Sequence, residues 1–401
     1  MNTNYDIIRN LIGLQGLEII FTNVNNGIFE VFAKSAFDFA KCPQCGNVTY
    51  IVHDRRHQSY RHLPIWGMPT DIILEKKRYV CNCSPENPFD EHYSFFRRYQ
   101  RYTIAFEEYV LKLAHKNTIK NASDIADVGE GTCQRIYNHY AKEALVNCTP
   151  EPLRLLGIDD IASRKGHHYD TVIYNQETGN VVAIFPGRKK EDVVAYFKSL
   201  PEDVRAGIEA VSMDMSKSYC FSVLENLPNA MPVIDRFHIS QHLHNCIDEG
   251  RKHIQNHIRK YGNKDEVFKI RWGILKHIDD ANYQEYNNLL DAFSKYPKLE
   301  ELHYLKEEFS TFFYLTTKED AASFLGYYKG LVEESGIPEF EKFVKTLDNW
   351  MEYILNYYDY PISNGITEGN NHKVKNIKRR AYGYRNRNNW EIRVKYEFQC
   401  A

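Results

Sequence analysis

LRLLGIDDIA, residues 153–162, is a mostly apolar run too short for an ordinary helix. Such a run reads as a buried strand, and this one ends on two carboxylates, Asp159 and Asp160. The next segments keep the same grammar. HHYDTVIYNQETGNVVAIFPG, 167–187, is a hairpin turned at Glu177-Thr178-Gly179. KKEDVVAYFKSL, 189–200, is an amphipathic helix, and IEAVSMDMS, 208–216, is a buried strand that ends at Asp214. YCFSVLENL, 219–227, is a helix, and AMPVIDRFHI, 230–239, is a fifth strand that ends at Asp235.

Three antiparallel strands followed by helix-linked parallel strands match the ribonuclease-H-like α/β fold. A right-handed helical crossover returns the fourth strand to the side of the first. That expectation brings Asp159 and Asp214 together. Asp160 competes with Asp159 for the first position, and Asp235 with Asp214 for the second.

Working outward toward the C-terminus, residues 241–358 are almost all helical in pattern and rich in Tyr, Phe and Glu. They read as a helical insertion ahead of the last helix of the sheet domain. PISNGITEGNNHKVKNIKRRAYGYRNRNNWEIR, 361–393, then sets Glu368 in a Gly- and Asn-rich turn. Lys373, Lys375, Lys378, Arg379, Arg380, Arg385, Arg387 and Arg393 follow it. Either Glu368 caps a solvated basic helix, or it is a metal-binding carboxylate beside a phosphate-binding surface. Crowded carboxylates repel and need cations. Asp159, Asp214 and Glu368 would therefore hold Mg²⁺ or Mn²⁺. Two such ions about 3.5–4 Å apart suit phosphoryl transfer. Asn364, Asn370, Lys373 and Lys375 are candidates for contacts to a DNA strand, and Tyr382 and Tyr384 for stacking on bases.

Toward the N-terminus, Cys42-Pro-Gln-Cys45 is a zinc knuckle, and Cys81-Asn-Cys83 is a second, tighter pair. Between them TYIVHDRRHQSYRHLP and TDIILEKKRYVC alternate as strands do. Four thiolates on a small sheet make a zinc ribbon. His57 and His62 are alternative zinc ligands in place of a cysteine, but read first as polar or phosphate-contacting residues on a basic strand. Arg55, Arg56, Arg61, Lys76, Lys77 and Arg78 would give this module a positive face for DNA. FEEYVLKLAHK and ASDIADVGEGTCQRIYNHYAKEAL read as helices, with a turn at Val128-Gly129-Glu130. The pattern is a helix-turn-helix whose second helix offers Gly131, Thr132, Gln134, Arg135 and Asn138 to a major groove.

A chain of 401 residues with 43% hydrophobic content supports several folded domains. No apolar run reaches the roughly 18 residues of a membrane helix, and no secretory signal opens the chain. The expected place is the cytosol, where the nine cysteines serve as metal ligands or core residues. The net charge of −2 hides an asymmetry, because basic residues gather at 55–101 and 373–395 and acidic ones at 300–308. Local charge governs where phosphates dock.

The stretches CPQCG, CNC, GIDDIASRKGHHYDTVIYNQETGNVV, VSMDMSKSY, PVIDRFHI and SNGITEGNNHKVKNIKRRAYGYRN resemble bacterial insertion-sequence transposases of the DDE superfamily, ISL-three group. The resemblance runs almost end to end. It implies a zinc-ribbon DNA-binding region at 1–99 and a helix-turn-helix at 100–150. It implies a ribonuclease-H-like catalytic domain at 151–240 and 359–401, interrupted by the helical insertion at 241–358. Its catalytic residues carry over as Asp159 in GIDD, Asp214 in SMDM and Glu368 in TEGNN. Where the family often has Glu after the first Asp, this chain has Asp160. The implied activity is Mg²⁺-dependent DNA cleavage and strand transfer at terminal inverted repeats. The implied partners are double-stranded DNA, including the target, and a second copy of the chain on it; no membrane is involved. The implied place is the bacterial cytoplasm, at the nucleoid. The rival readings are a non-catalytic sequence-specific DNA-binding regulator, and a nuclease of the same fold that joins no ends.

Overall fold

The computed structural model describes residues 12–97, 99–164, 168–258, 269–362 and 365–400; the side chains of 163–168 and 365–368 fall outside that set. Two compact units emerge, Met1–Val146 with Arg380–Arg393, and Asn147–Arg379 with Val394–Ala401.

The first unit is built on a sheet. Strands β1 (Leu17–Asn25) and β2 (Ile28–Ser35) form a hairpin. Strand β2 pairs in parallel with the long β6 (Met68–Cys81), which also carries β5 (Val52–Ile65) and β7 (Ser84–Asp90). The order is β1-β2-β6-β5 with β7 on β6. Leu17, Val31, Tyr60, Ile72, Leu74 and Phe96 bury its apolar face. A two-strand ribbon, β3 (Ala40–Lys41) and β4 (Val48–Thr49), stands apart. The two long strands match the alternating stretches of the sequence; the β1–β2 hairpin is an addition to what was expected.

Helices α1 (Ile104–Ala114), α2 (Ile119–Ala126) and α3 (Glu130–Asn147) follow. Thr103 and Thr118 cap the first two, accepting from the N–H groups of Phe106 and Asn121 and so satisfying donors a helix start leaves open. Asp127 closes α2 in the left-handed region at φ 52°, which turns the chain into α3. Cys133, Ile136, Tyr137 and Ala141 form the buried stripe of α3.

The second unit opens with the meander β8 (Leu155–Arg164), β9 (His168–Asn175) and β10 (Val181–Pro186). Helices α4 (Lys190–Ser199) and α5 (Glu202–Ala206) lead to β11 (Ala210–Met213). Helix α6 (Lys217–Asn226) leads on to β12 (Met231–Ile234). The strand order is β10-β9-β8-β11-β12, and β11 runs parallel to both neighbours. The first and fourth strands of this unit are therefore adjacent, as the crossover argument requires.

Among the described residues, six α-helices complete the unit's bulk: α7 (Arg236–Ile258), α8 (Arg271–Leu275), α9 (Tyr283–Lys295), α10 (Pro297–Ser310), α11 (Lys318–Ser335) and α12 (Pro338–Leu355). One core runs from Ile158, Val211 and Ile234 of the sheet through Ile239 and Leu243 of α7 to Phe309, Tyr328 and Phe340. The helices thus share the sheet's hydrophobic core rather than forming one of their own.

The basic C-terminal stretch is two helices, α13 (Gly365–Arg380) and α14 (Arg387–Gln399). Between them Tyr382 and Gly383 both take positive φ, 54° and 101°. Residues 380–393 belong to the first unit. There Asn389 accepts from Asn138 of α3 at 2.9 Å, and Tyr384 packs on Trp390 at 5.2 Å. Arg393 is 2% exposed; it donates to the carbonyls of Ala114 and Asn117 and lies over the ring of Tyr137 at 4.6 Å. It is a structural bolt and not part of a positive surface.

Candidate functional site

The parallel register sets the geometry. Ala210, Val211 and Ser212 of β11 face Leu155, Leu156 and Gly157 of β8, and Met213 faces Ile234 of β12. Continuing the register by two residues sets Asp159 level with Asp214, and by one sets Asp214 level with Asp235. Asp214 and Asp235 thus stand just past the ends of β11 and β12, level with Asp159 midway along the longer β8, which runs on beside β9 to Arg164.

Their surroundings differ. Asp160 is more heavily partnered: Oδ1 accepts from the Tyr219 hydroxyl at 2.7 Å and lies 2.9 Å from Thr171 Oγ1, while Oδ2 pairs with Arg188 Nε at 2.8 Å. Burial pushes its pKa up, against the pull of these partners. Asp235 is 2% exposed and its Oδ1 accepts from the N–H of Phe237, as a helix-capping aspartate does. Asp159 keeps more capacity, with one N–H donor on each oxygen, the backbone of Asp160 at 2.7 Å and Asn371 Nδ2 at 2.6 Å. Asp214 is the strained member. Its Oδ1 is buried with no hydrogen-bond partner. Burial first, then the charges of Asp160 and Asp159, push its carboxyl up to about 6, with His238 opposing. A buried orphan oxygen beside like charges is a place a cation would relieve.

Glu368 lies in the first turn of α13, and its side chain is outside the described residues, as is Asn364. Among the described residues no three carboxylates converge as the cysteines do. Helix α13 is tied to the meander by its next residues. Asn370 donates to the Gly179 carbonyl at 2.8 Å, and Asn371 joins Asp159 to the Tyr174 hydroxyl, which donates to Asn371 Oδ1 at 2.6 Å. Asn370 is therefore anchored to the protein rather than offered to a DNA strand. Asn371 is absent from the candidates that the sequence suggests; its position three residues after Glu368, on the same helical face, was the available signal.

The cysteines converge. Cys42, Cys45, Cys81 and Cys83 bring four Sγ atoms within 4.8 Å of one another, with Cys42–Cys83 and Cys45–Cys81 at 3.6 Å. A tetrahedral zinc with Zn–S of about 2.3 Å sets its sulfurs about 3.8 Å apart, so the set fits zinc. The backbone N–H of Cys45 leads in pulling the Cys42 thiol down to about 7, while hydrogen bonds from the neighbouring cysteines push Cys83 up to about 12. Four thiols this close cannot all ionise without a cation between them.

The expected positive face of this module is largely neutralised. Arg56 pairs with Asp90 at 2.9 Å, Arg78 with Asp54 at 3.1 Å, and Arg61 with Asp71 at 2.6 Å and Asp127 at 3.2 Å. Arg55 stands 3.8 Å from Glu75. Lys76 and Lys77 are buried, Lys76 near the Phe96 ring and Lys77 on Asp38 at 2.7 Å. His62, 2% exposed, joins Thr103 Oγ1 at 2.8 Å and the Ile12 carbonyl at 3.1 Å, so it is a core residue and neither a ligand nor a phosphate contact.

Exposed cations remain elsewhere. Arg135 is exposed on α3, its Nη1 donating to Gln100 at 3.0 Å. Arg379 and Arg385 are exposed, with no acidic partner among the described residues; Lys375, Lys378 and Arg380 are half-buried. Lys373 lies over the Phe398 ring at 3.9 Å. Tyr382 is 97% exposed, whereas Tyr384 packs on Trp390.

A carboxylate-bearing α/β sheet joined to a thiolate ribbon and a helix-turn-helix is the domain set of a transposase. The chain belongs to the ISL3 family of transposases, whose DDE transposase domain matches residues 156–394, more than half its length. Two further domains of these proteins match beside it. The zinc-finger of transposases IS204, IS1001, IS1096 and IS1165 covers 38–83, and the helix-turn-helix domain of the ISL3 family covers 91–141. Among similar proteins, the transposase for insertion sequence element IS1001 of Bordetella parapertussis is 26% identical over 371 residues, spanning 92% of this chain and 91% of that one. The transposase for insertion sequence element IS1557 of Mycobacterium tuberculosis is 23% identical over 374 residues, spanning 86% and 82%.

Proposed function

We propose that the protein binds the terminal inverted repeats of an insertion sequence and catalyses metal-dependent cleavage and strand transfer of its ends. The observation that carries this reading is Asp214, just past the end of β11 and level with Asp159 on the neighbouring β8, with an orphaned buried oxygen. The sheet order, with its antiparallel meander and flanking parallel strands, is the order of a ribonuclease-H-like domain.

Asp159, Asp214 and Glu368 are the residues that would hold Mg²⁺ or Mn²⁺. When bound, these ions lower the pKa of an attacking water or 3′-hydroxyl and stabilise the leaving oxygen. Asp160 plays a different part, its Oδ1 held by Tyr219 and Thr171 and its Oδ2 paired with the Arg188 cation. Asp235 caps α7. Arg135 on the second helix of the helix-turn-helix, and Lys373, Lys375, Lys378, Arg379, Arg380 and Arg385 around the α13–α14 turn, form the proposed DNA-contacting set. Of these, exposed Arg379 and Arg385 are best placed to exchange counterions for phosphates. Cys42, Cys45, Cys81 and Cys83 would hold a structural zinc that keeps the β3–β4 ribbon folded. Two such chains on paired DNA ends are the proposed active assembly.

The test is substitution at the three carboxylates. Asp159→Ala, Asp214→Ala and Glu368→Ala are each expected to abolish Mg²⁺-dependent cleavage of the element's ends while binding of those ends persists in gel-shift assays. Full activity in any one removes that residue from the site. Cleavage without end joining in a strand-transfer assay would make the protein a nuclease, and indifference to all three substitutions a regulator.

A further inference from the structure

The contact between helix α13 and strand β8 at Asp159 runs through one amide. Asp159 has no proton to give when ionised, so Asn371 must turn its NH₂ toward Asp159 Oδ2, at 2.6 Å. Its Oδ1 then faces Tyr174, whose hydroxyl must donate, also at 2.6 Å. The direction of each bond is dictated by its neighbour, and the amide has no second orientation that satisfies both. The inner two members are walled off from water, with Tyr174 at 0% and Asn371 at 7% exposure, while Asp159 is half-buried. A second bond, from Asn370 to the Gly179 carbonyl, pins the same turn of the helix to the β9–β10 hairpin.

We infer that Asn371, oriented by Tyr174, is a positioning residue that aims the Asp159 carboxylate at the metal and holds the helix turn bearing Glu368 against β8. With Oδ2 held by Asn371 and Oδ1 by the backbone N–H of Asp160, the carboxylate cannot rotate, and each oxygen keeps a lone pair for a cation. Partners that orient a ligand in this way commonly govern metal affinity about 10–100-fold. The inference rests on the reading of Asp159 as a metal ligand, and the experiment separates the two.

The measurement is Mn²⁺ binding by the full-length, zinc-loaded protein without DNA, read from the free Mn²⁺ electron paramagnetic resonance signal, with thermal unfolding followed alongside. Asp159→Ala serves as the comparator. Asn371→Ala is expected to weaken Mn²⁺ binding by about ten-fold or more, and Tyr174→Phe, which removes only the hydroxyl that orients the amide, to weaken it by less. In cleavage assays the Mn²⁺ concentration for half-maximal rate should rise in both variants, with a smaller change in the rate at saturation. If Asp159→Ala loses Mn²⁺ but both other variants bind as the wild type does, the positioning role is refuted and the site stands. If Asp159→Ala binds Mn²⁺ normally, the site reading itself fails. Should Asn371→Ala not fold, Tyr174→Phe decides alone: weakened binding supports the role and unchanged binding refutes it.

Discussion

Replacing Asp214 with Asn should stabilise this protein while removing the chemistry proposed for it. The Asp214 carboxyl is pushed up to about 6 from 3.8, first by burial and then by the charges of Asp160 and Asp159. The folded state therefore holds a proton that the unfolded state has already released. Stability from this group is fully present below 3.8, falls as pH rises, and is gone above about 6. At 1.36 kcal/mol per pH unit the ionised carboxylate costs about 3 kcal/mol at neutral pH. In buffer free of Mg²⁺ and Mn²⁺, with zinc left in place, Asp214→Asn should raise the Tm of the unit by roughly 6–12 °C at about pH 8. At about pH 5 the wild-type group is largely protonated, and the gain should shrink to about half. Mg²⁺ should raise the wild-type Tm with increasing concentration and leave the variant where it is. Differential scanning fluorimetry across pH reads all three. A variant no more stable than the wild type at about pH 8, or a gain that does not change with pH, would refute the argument that crowded charge strains this site.

Three other expectations concern the first unit. Arg393→Ala leaves the Ala114 and Asn117 carbonyls unmet and opens a cavity beside Tyr137; urea unfolding should show a loss of about 3 kcal/mol or more, and a loss under about 1 kcal/mol would contradict the bolt. Cys45→Ser should drop the zinc content, measured by release to a colorimetric chelator, from one per chain toward none, and lower the unit's Tm; an unchanged content would dismiss the four-thiolate site. Burial pushes His62 below its usual 6.5, against the pull of the Ile12 carbonyl, so the folded state keeps it neutral where the unfolded state takes up a proton. Stability of the unit should fall as pH drops below 6.5, and His62→Gln should flatten that fall; an equally steep fall in the variant would show that other groups cause it.

The features legible in the sequence are those that depend on near neighbours. Short apolar runs ending in Asp159, Asp214 and Asp235 announced three strands, because alternation and run length are properties of the strand itself. The CPQC pair and the helices on either side of the Val128-Gly129-Glu130 turn were legible for the same reason. The positive face of the zinc module was misjudged because charge on a strand says nothing about what covers it. Lys77 points into a loop that offers Asp38, and Lys76 lies near Phe96. Arg61 reads as a phosphate contact until Asp71 and Asp127 arrive from elsewhere in the chain. Asn371 meets an aspartate 212 residues earlier, a pairing that no local pattern encodes.

By itself the sequence determined the strand-helix order, the ligand spacing of the first cysteine pair, and candidate carboxylates on three strands, although the first strand runs past Asp159 and Asp160 to Arg164. Those features arise from periodicity, turn chemistry and residue type, which act over a few residues. Tertiary structure decided which of those side chains remain open. It paired Asp160 with Tyr219 and Arg188, buried Asp235 as a cap, left Asp214 short of a partner, and tied Asp159 to the helix of Glu368 through Asn371. The physical reason is that a carboxylate's role is set by its desolvation and its partners, and both are supplied by segments distant in the chain.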